Sequence, residues 1–159
     1  MPGGKINNCI ACNIINGKQE LPGGRIYATK HWVVEHCIGP LGVGTLIVKP
    51  FRHCTHFWEL NNEEIQELGP LLHKVSNTIS DILRPDQIYV CLWSNRNWEP
   101  VHIHFVLQPS CNGFKKKHIK SGPFMQVDMF KEDELLPRDE IEEFAAKARK
   151  IVSEGEVVV

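Results

Sequence analysis

The sequence predicts an α+β domain built on a five-stranded antiparallel sheet with helices on one side. Three patterns support this fold class: short segments rich in β-branched and aromatic residues, a long stretch whose apolar residues recur at helical spacing, and a second helical stretch near the end. Strands and helices in this order are typical of α+β folds.

Five segments are predicted as strands, because each combines β-branched or aromatic residues with turn residues near its ends. Glycine and proline supply several of the breaks: Gly39-Pro40 separates the second strand from the third, and a polar loop separates the last two. The predicted strands are 25–28, 32–37, 45–49, 88–93 and 101–108.

A long amphipathic helix is predicted between the third and fourth strands. Asn61 is followed three residues later by Glu64, as in a capping box, and apolar residues then recur at helical spacing as far as Ile82. Pro70 is expected to kink the helix and Pro85 to end it. A final helix is expected after residue 137, with acidic residues near its start and basic residues near its end.

Length and composition indicate one globular domain, residues 1–159. Hydrophobic residues make up 42% of the chain, charged residues 23%, and the formal net charge is -1, which gives no indication of a nucleic-acid or membrane partner. No segment approaches the roughly 18 apolar residues of a membrane helix, so we expect a cytoplasmic protein. The six cysteines are therefore expected to be thiols or metal ligands rather than disulfides.

Two histidines occupy alternate positions of the last predicted strand. In segment 101–108 the odd positions are large and apolar, whereas the even positions include His102 and His104. Because side chains alternate between the faces of a strand, both imidazoles should project from one open face, about 6 to 7 Å apart. This arrangement indicates a functional site, although half-exposed polar residues would produce the same pattern.

The spacing of Cys9 and Cys12 suits the chelation of one metal ion. His53, which follows the third strand, and His102 would complete a four-ligand zinc site. A redox pair of thiols is the alternative reading of the two cysteines. Spacing alone leaves five other histidines as competing ligands, namely His31, His36, His56, His73 and His118.

Three segments, taken in order, resemble a known family. They are Cys-Ile-Ala-Cys-Asn-Ile-Ile from Cys9, Gly-Thr-Leu-Ile-Val-Lys-Pro-Phe-Arg-His from Gly44, and Val-His-Ile-His-Phe-Val from Val101. Over residues 9–109 the chain resembles the histidine triad (HIT) proteins. The resemblance implies a HIT-like fold, with a five-stranded sheet and one long helix, and a homodimer. Residues 123–153 would form a C-terminal helical extension beyond this core.

The resemblance also implies roles for individual residues. His104 would be the nucleophile that attacks a nucleotide α-phosphate, a role that suits imidazole because a backbone carbonyl can hold its second nitrogen. The zinc-containing members of the family imply a structural Zn²⁺ held by Cys9, Cys12, His53 and His102. The candidate substrate-binding residues are Ile38, Asn95, Trp98 and Gln108.

The sequence departs from the family pattern at four places. Val106 replaces the third histidine of the triad, Thr45 replaces the histidine before the third strand, and Cys37 replaces the acidic residue that holds the ribose. The Gln-Ser pair that commonly contacts phosphate in the family aligns near Trp98-Glu99. These changes remove acid–base help for the leaving group and imply that nucleotide recognition has been rebuilt. Lys49 and Arg96 are interpreted as solvated charges.

Two functions are compatible with these residues. The first is an enzyme that hydrolyses or transfers at the α-phosphate of a nucleoside phosphoramidate or dinucleoside polyphosphate, through a nucleotidyl-His104 intermediate. The second is a zinc-stabilised nucleotide-binding or sensing module with little catalytic activity. Both predict a nucleotide as the partner.

Overall fold

Five antiparallel strands form one sheet in the computed structural model, which describes residues 8–94, 101–111 and 122–154. The strands are β1 (Arg25–Ala28), β2 (Trp32–His36), β3 (Leu46–Pro50), β4 (Gln87–Leu92) and β5 (Phe105–Ser110). Their order across the sheet is β1-β2-β3-β5-β4, and every pairing is antiparallel. The predicted α+β class with a five-stranded antiparallel sheet is therefore confirmed.

Four α-helices accompany the sheet in these described ranges: α1 (Ile10–Ile15), α2 (Asn62–Leu83), α3 (Pro123–Glu132) and α4 (Arg138–Glu154). A single 3₁₀ turn, Phe57–Glu59, precedes α2. No helix in the described part of the chain is both long and apolar enough to cross a membrane.

The long helix α2 starts and stops where the sequence predicts. The Asn61 side chain accepts a hydrogen bond from the Glu64 backbone N–H, and the Glu64 carboxylate accepts one from the Asn61 N–H, which completes a capping box. The helix continues through Pro70 and ends at Leu83, and the next residue, Arg84, caps it in the left-handed conformation with φ 45°. The carbonyl of Glu64 also accepts from the Trp32 indole N–H at 2.9 Å, which ties the helix to β2.

The main core lies between one face of the sheet and helices α2 and α4. Trp32, Val48 and Leu107 contribute fully buried side chains from the strands, and Ile79 and Ala148 contribute them from the helices. Burying residues of this size stabilises the fold by about 1.5–3 kcal/mol each for the larger aliphatic side chains. This packing leaves the other face of the sheet available for a site.

A second, smaller core covers part of that other face. Met125 and Met129 of α3 pack against Cys37, Leu41 and Val106. The prediction that all helices lie on one side of the sheet was therefore wrong. The sequence pattern placed one helix in the C-terminal extension, whereas the structure has two, and the first of them packs on the face that carries Val106.

The two histidines precede the last strand rather than lying within it. Strand β5 begins at Phe105, so the predicted bounds 101–108 were wrong at the start. Before the strand, the Ile103 backbone N–H donates to the Cys54 carbonyl at 2.9 Å, and the Ile103 side chain is buried in the main core. The expected alternation persists, because His102 and His104 face away from that core toward a shared cavity.

Candidate functional site

Two cysteines and two histidines from three separate segments converge at one end of the sheet. Cys9 caps α1, and its thiol accepts a hydrogen bond from the Cys12 backbone N–H at 3.4 Å, so the first helical turn holds the two thiols together. His53 follows β3 and His102 precedes β5. Strands β3 and β5 are antiparallel neighbours, so the end of β3 lies beside the start of β5. His53 and His102 therefore meet at the same end of the sheet.

The four donor atoms have the spacing of a tetrahedral metal site. Cys12 Sγ lies 3.3 Å from His53 Nδ1 and 3.5 Å from His102 Nδ1, and Cys9 Sγ lies 3.7 Å from His102 Nδ1. All four donor atoms lie within 4.8 Å of one another. Tetrahedral zinc bonds of about 2.0–2.3 Å give donor separations of about 3.3–3.8 Å. The cluster therefore fits a zinc site.

Backbone contacts and burial favour the protonation states that a metal requires. The Nε2–H of His102 donates to the Pro50 carbonyl at 2.8 Å, which leaves the Nδ1 lone pair directed at the thiols. Burial lowers the pKa of His102 to about 4 and also lowers the pKa of His53, so both rings are neutral at pH 7. Burial and the neighbouring Cys9 raise the pKa of Cys12 to about 11, so its thiolate needs a nearby cation.

The other described histidines are engaged elsewhere. His36 is buried, donates from Nδ1 to the Cys37 carbonyl at 2.7 Å and accepts at Nε2 from the Gly44 N–H at 2.8 Å. His31 contacts the Glu67 carboxylate at 2.7 Å. The cluster of Cys9, Cys12, His53 and His102 is the only group of potential metal ligands found among the described residues.

His104 lies next to the metal cluster with one ring nitrogen held by the backbone. Its Nδ1–H donates to the His102 carbonyl at 3.0 Å, and its backbone N–H donates to Ser94 Oγ at 3.3 Å. A carbonyl can only accept, so the neutral ring carries its lone pair on Nε2. Burial lowers the pKa of His104, which keeps this nucleophilic neutral form at pH 7.

A cavity of about 420 Å³ opens beside His104, within the range of ligand pockets. Its walls are largely apolar. They include Ile10 of α1, Ile47 of β3, Phe130 of α3 and Trp93, which follows β4. The imidazole of His104 and the side chain of Ser94 are among the polar groups at its surface. A flat apolar ring with a polar substituent could lie here with the substituent against His104.

An ion pair lies in the wall of this cavity. Lys49 Nζ is 2.5 Å from Glu35 Oε2, and only 5% and 6% of the two side chains are exposed. Both residues line the cavity. The interpretation of Lys49 as a solvated charge was therefore wrong, because Lys49 points inward from β3 and pairs with a carboxylate on β2.

The candidate substrate-binding residues have different positions. Ile38 lines the cavity and is half exposed. Gln108 is fully buried outside the cavity lining: its amide N–H groups donate to the Leu41 carbonyl, and its oxygen accepts from Gln126 at 2.8 Å. The face that carries Gln108 is covered by α3, contrary to the expected open face. Asn95, Trp98 and Arg96 lie outside the described residues.

Buried side chains occupy two of the positions at which the sequence departs from the histidine triad pattern. Val106 is buried against α3, and the buried Thr45 hydroxyl donates to the Leu41 carbonyl at 2.9 Å. The sequence analysis missed Phe130 and Glu35 as cavity residues. Glu35 had a signal, since it is the one carboxylate in a strand that is otherwise apolar apart from His36. Phe130 is brought to the cavity by tertiary packing alone.

One curated relative and several solved structures resemble the chain. No protein-family model matches it. An uncharacterized HIT-like protein of Borreliella burgdorferi is 29% identical over 133 residues, which are 79% of this chain and 92% of that protein.

Three solved structures share the fold. A hypothetical histidine triad nucleotide-binding protein from Sulfolobus tokodaii is 19% identical with TM-score 0.70, covering 92% of this chain and 93% of that one. A zinc-bound histidine triad family protein from Mycobacterium smegmatis is 18% identical with TM-score 0.67, covering 94% and 96%. Plasmodium falciparum diadenosine triphosphate hydrolase is 14% identical with TM-score 0.63, covering 86% and 80%. The chain is thus a homologue of a HIT-like protein and has the histidine triad fold that its sequence motifs predict.

Proposed function

We propose that the chain is a nucleotide hydrolase or nucleotidyl transferase that acts at the α-phosphate of a nucleoside phosphoramidate or dinucleoside polyphosphate. The observation that carries the proposal is the hydrogen bond from His104 Nδ1–H to the His102 carbonyl beside a cavity of nucleotide size. It leaves Nε2 as the nucleophilic nitrogen. The nucleotide-binding protein and the diadenosine triphosphate hydrolase that share the fold support this class of substrate.

The reaction would run in two displacements at phosphorus. The Nε2 lone pair of His104 attacks the α-phosphorus, a P–N bond forms, and the bond from phosphorus to the leaving nitrogen or oxygen breaks with its electron pair. The Nδ1–H stays on the ring, where the His102 carbonyl stabilises the positive charge of the intermediate. Water, or an acceptor hydroxyl, then attacks phosphorus, and the P–N bond breaks with its electron pair returning to Nε2 of His104. The proton of the attacking group passes to solvent water, which leaves the nucleotide product and the neutral ring.

Loss of the third histidine sets the choice of leaving group. The equivalent position is Val106, which is buried under α3 and supplies no proton. A leaving group that departs without a proton, such as a nucleoside polyphosphate, therefore suits this site better than an amine. We expect faster turnover of a dinucleoside polyphosphate than of a phosphoramidate.

We also propose that Cys9, Cys12, His53 and His102 hold a structural zinc ion. With four protein ligands the ion has no free coordination position, so its contribution is to join α1 to the segments around β3 and β5. The zinc-bound relative of the same fold supports this proposal.

A homodimer is proposed from the outer edge of β4, which pairs with no further strand among the residues that the structure describes. Strand β4 ends the sheet order, and Val90 and Leu92 on it are 47% and 37% exposed. Apolar side chains along an unpaired strand are suited to a second copy of the chain. Light scattering that gives the mass of one chain at micromolar concentration would refute the dimer.

Steady-state turnover of a dinucleoside polyphosphate tests the enzymatic proposal. His104→Ala should abolish turnover, while His73→Ala, which changes an exposed histidine of α2, should leave it unchanged. Equal turnover by wild type and His104→Ala would refute the role of His104.

The nucleotide-sensing module is the second candidate function. Two buried residues favour it, at positions where the family carries further histidines. Val106 is buried, and Thr45 is buried with its hydroxyl hydrogen-bonded to the Leu41 carbonyl. Tight nucleotide binding by the wild type without product formation would establish it in place of the enzyme.

A further inference from the structure

Lys49 is the only lysine or arginine among the cavity-lining residues that the structure describes. A nucleotide brings at least one negative charge into this cavity, and an anion inside a largely apolar pocket requires a cationic partner. The identity of that partner follows from the sheet register around His104.

The register of the sheet brings Lys49 toward His104. In the β3–β5 ladder, Leu46 pairs with Leu107, Ile47 with Val106 and Val48 with Phe105. Continued by one position beyond the recorded pairs, the same register places Lys49 opposite His104, the residue just before β5. Paired residues of an antiparallel ladder share a face and have Cβ atoms about 5 Å apart, so Lys49 and His104 both face the cavity.

Glu35 binds the ammonium group of Lys49 but leaves N–H donors of that group available for a ligand. It is on β2 opposite Ile47, and therefore lies diagonally across from Lys49 on the same face. A lysine ammonium has three N–H donors, and the 2.5 Å contact to Glu35 Oε2 needs one. A phosphate oxygen can accept another.

We propose that Lys49 binds the α-phosphate of a nucleotide held against His104, and that Glu35 positions its ammonium group. This inference rests on the proposed nucleotide function. A merely structural pair is disfavoured because a buried ion pair adds little stability over an apolar pair of similar volume. In place of the lost triad histidine, the site would then carry a fixed cation from the neighbouring strand.

Calorimetric titration of the full-length protein separates the phosphate contact from the rest of the ligand. The affinity of adenosine is compared with that of AMP, and the affinity of guanosine with that of GMP. The difference within each pair is the gain in affinity from the phosphate, measured for two bases. The test variant is Glu35→Gln with Lys49→Met, which removes both charges, preserves net charge and leaves no lone buried ion. The control is Lys30→Met with Glu63→Gln, which removes an exposed ion pair.

We expect the phosphate to tighten wild-type binding by at least about tenfold. In the Glu35→Gln, Lys49→Met protein this gain should fall to about twofold or less, with unchanged nucleoside affinity, whereas the surface control should keep it. Lys49→Arg should retain most of it. An unchanged gain in the folded double variant, or no gain in the wild type, would overturn the inference, as would an equal loss of nucleoside and nucleotide affinity.

The same titrations separate this inference from the proposed reaction. His104→Ala should lose turnover but keep a phosphate gain that depends on Lys49. If the wild type shows that gain but no turnover, the enzymatic proposal fails and the role of Lys49 stands. Wild-type protein that binds none of the four ligands and does not turn over a dinucleoside polyphosphate would overturn both.

Discussion

His102 links the metal cluster to His104 through two different groups. Its ring donates Nε2–H to the Pro50 carbonyl at 2.8 Å and directs Nδ1 at the thiols of Cys9 and Cys12. Its own backbone carbonyl accepts the Nδ1–H of His104 at 3.0 Å. A metal ion that fixes the His102 ring would therefore also fix the carbonyl that orients the nucleophile.

Loss of one thiol ligand should destabilise the protein and reduce its activity together. Cys12→Ser removes a zinc ligand, and because the binding energy of a structural metal is part of the folding energy, Tm should fall by about 10 °C or more. Elemental analysis should show one zinc per wild-type chain and much less in the variant. Cys91→Ser, at a half-buried cysteine of β4, is the control and should keep its zinc. Zinc-free wild-type protein with an unchanged Tm would contradict the structural role.

Acid should destabilise the fold partly through His36. Burial lowers the pKa of this ring below its ordinary value of 6.5, and in the neutral form its Nε2 accepts a hydrogen bond from the Gly44 N–H. The unfolded chain therefore binds more protons, and the stability from neutral His36 is complete above about pH 7 and is lost as the pH falls below 6.5. Urea unfolding at pH 7.5 and 5.5 should show a smaller loss in His36→Gln than in wild type. His73→Gln should behave as wild type, and equal losses in all three proteins would refute the assignment.

The carboxylate of Glu64 should be far more important for stability than that of Glu63 beside it. Glu64 is 2% exposed and accepts from the Arg52 guanidinium at 2.8 and 2.9 Å and from the Asn61 N–H. Glu64→Gln should lower the free energy of unfolding by about 2–3 kcal/mol. Glu63→Gln removes an exposed ion pair with Lys30, which solvent screens, and should leave the free energy of unfolding nearly unchanged. Because Arg52 lowers the pKa of Glu64, the difference between wild type and Glu64→Gln should shrink as the pH falls below 4.5.

One phenylalanine of α3 should contribute to ligand affinity and another should not. Phe130 lines the cavity, whereas Phe124 is 69% exposed and lies outside the lining. Phe130→Ala should weaken nucleotide binding by about tenfold, through lost apolar contact, and change stability little. Phe124→Ala should leave affinity unchanged. Equal affinities for wild type and Phe130→Ala in a calorimetric titration would show that α3 does not contact the ligand.

Local patterns were sufficient to predict the sheet, the long helix and the proximity of the Cys9 and Cys12 thiols. The capping box at Asn61 and the order of strands and turns are short-range signals, and the structure follows them. Cys9 and Cys12 are three residues apart, so helical geometry alone brings them together. The partner histidines needed the family resemblance, because His53 and His102 are 49 positions apart and five other histidines had equal claims.

The wall of the cavity could not be predicted in the same way. Lysine is a residue type usually found at the protein surface. Only the β2–β3 register reveals that Lys49 faces Glu35 inside the fold. Gln108 shares a strand face with His104, but α3 closes over it. The docking of α3 depends on contacts between Met125, Met129 and Val106, which have no signature in the local sequence.

Intact-mass analysis after a neutral quench tests the central claim most directly. Wild-type and His104→Ala protein would each be mixed with a dinucleoside polyphosphate and with an adenosine phosphoramidate. The account predicts a transient mass increase of one nucleotidyl group on the wild type alone, located by peptide mapping to His104. Product formation at the same rate by His104→Ala, or a wild-type adduct on another residue, would contradict it.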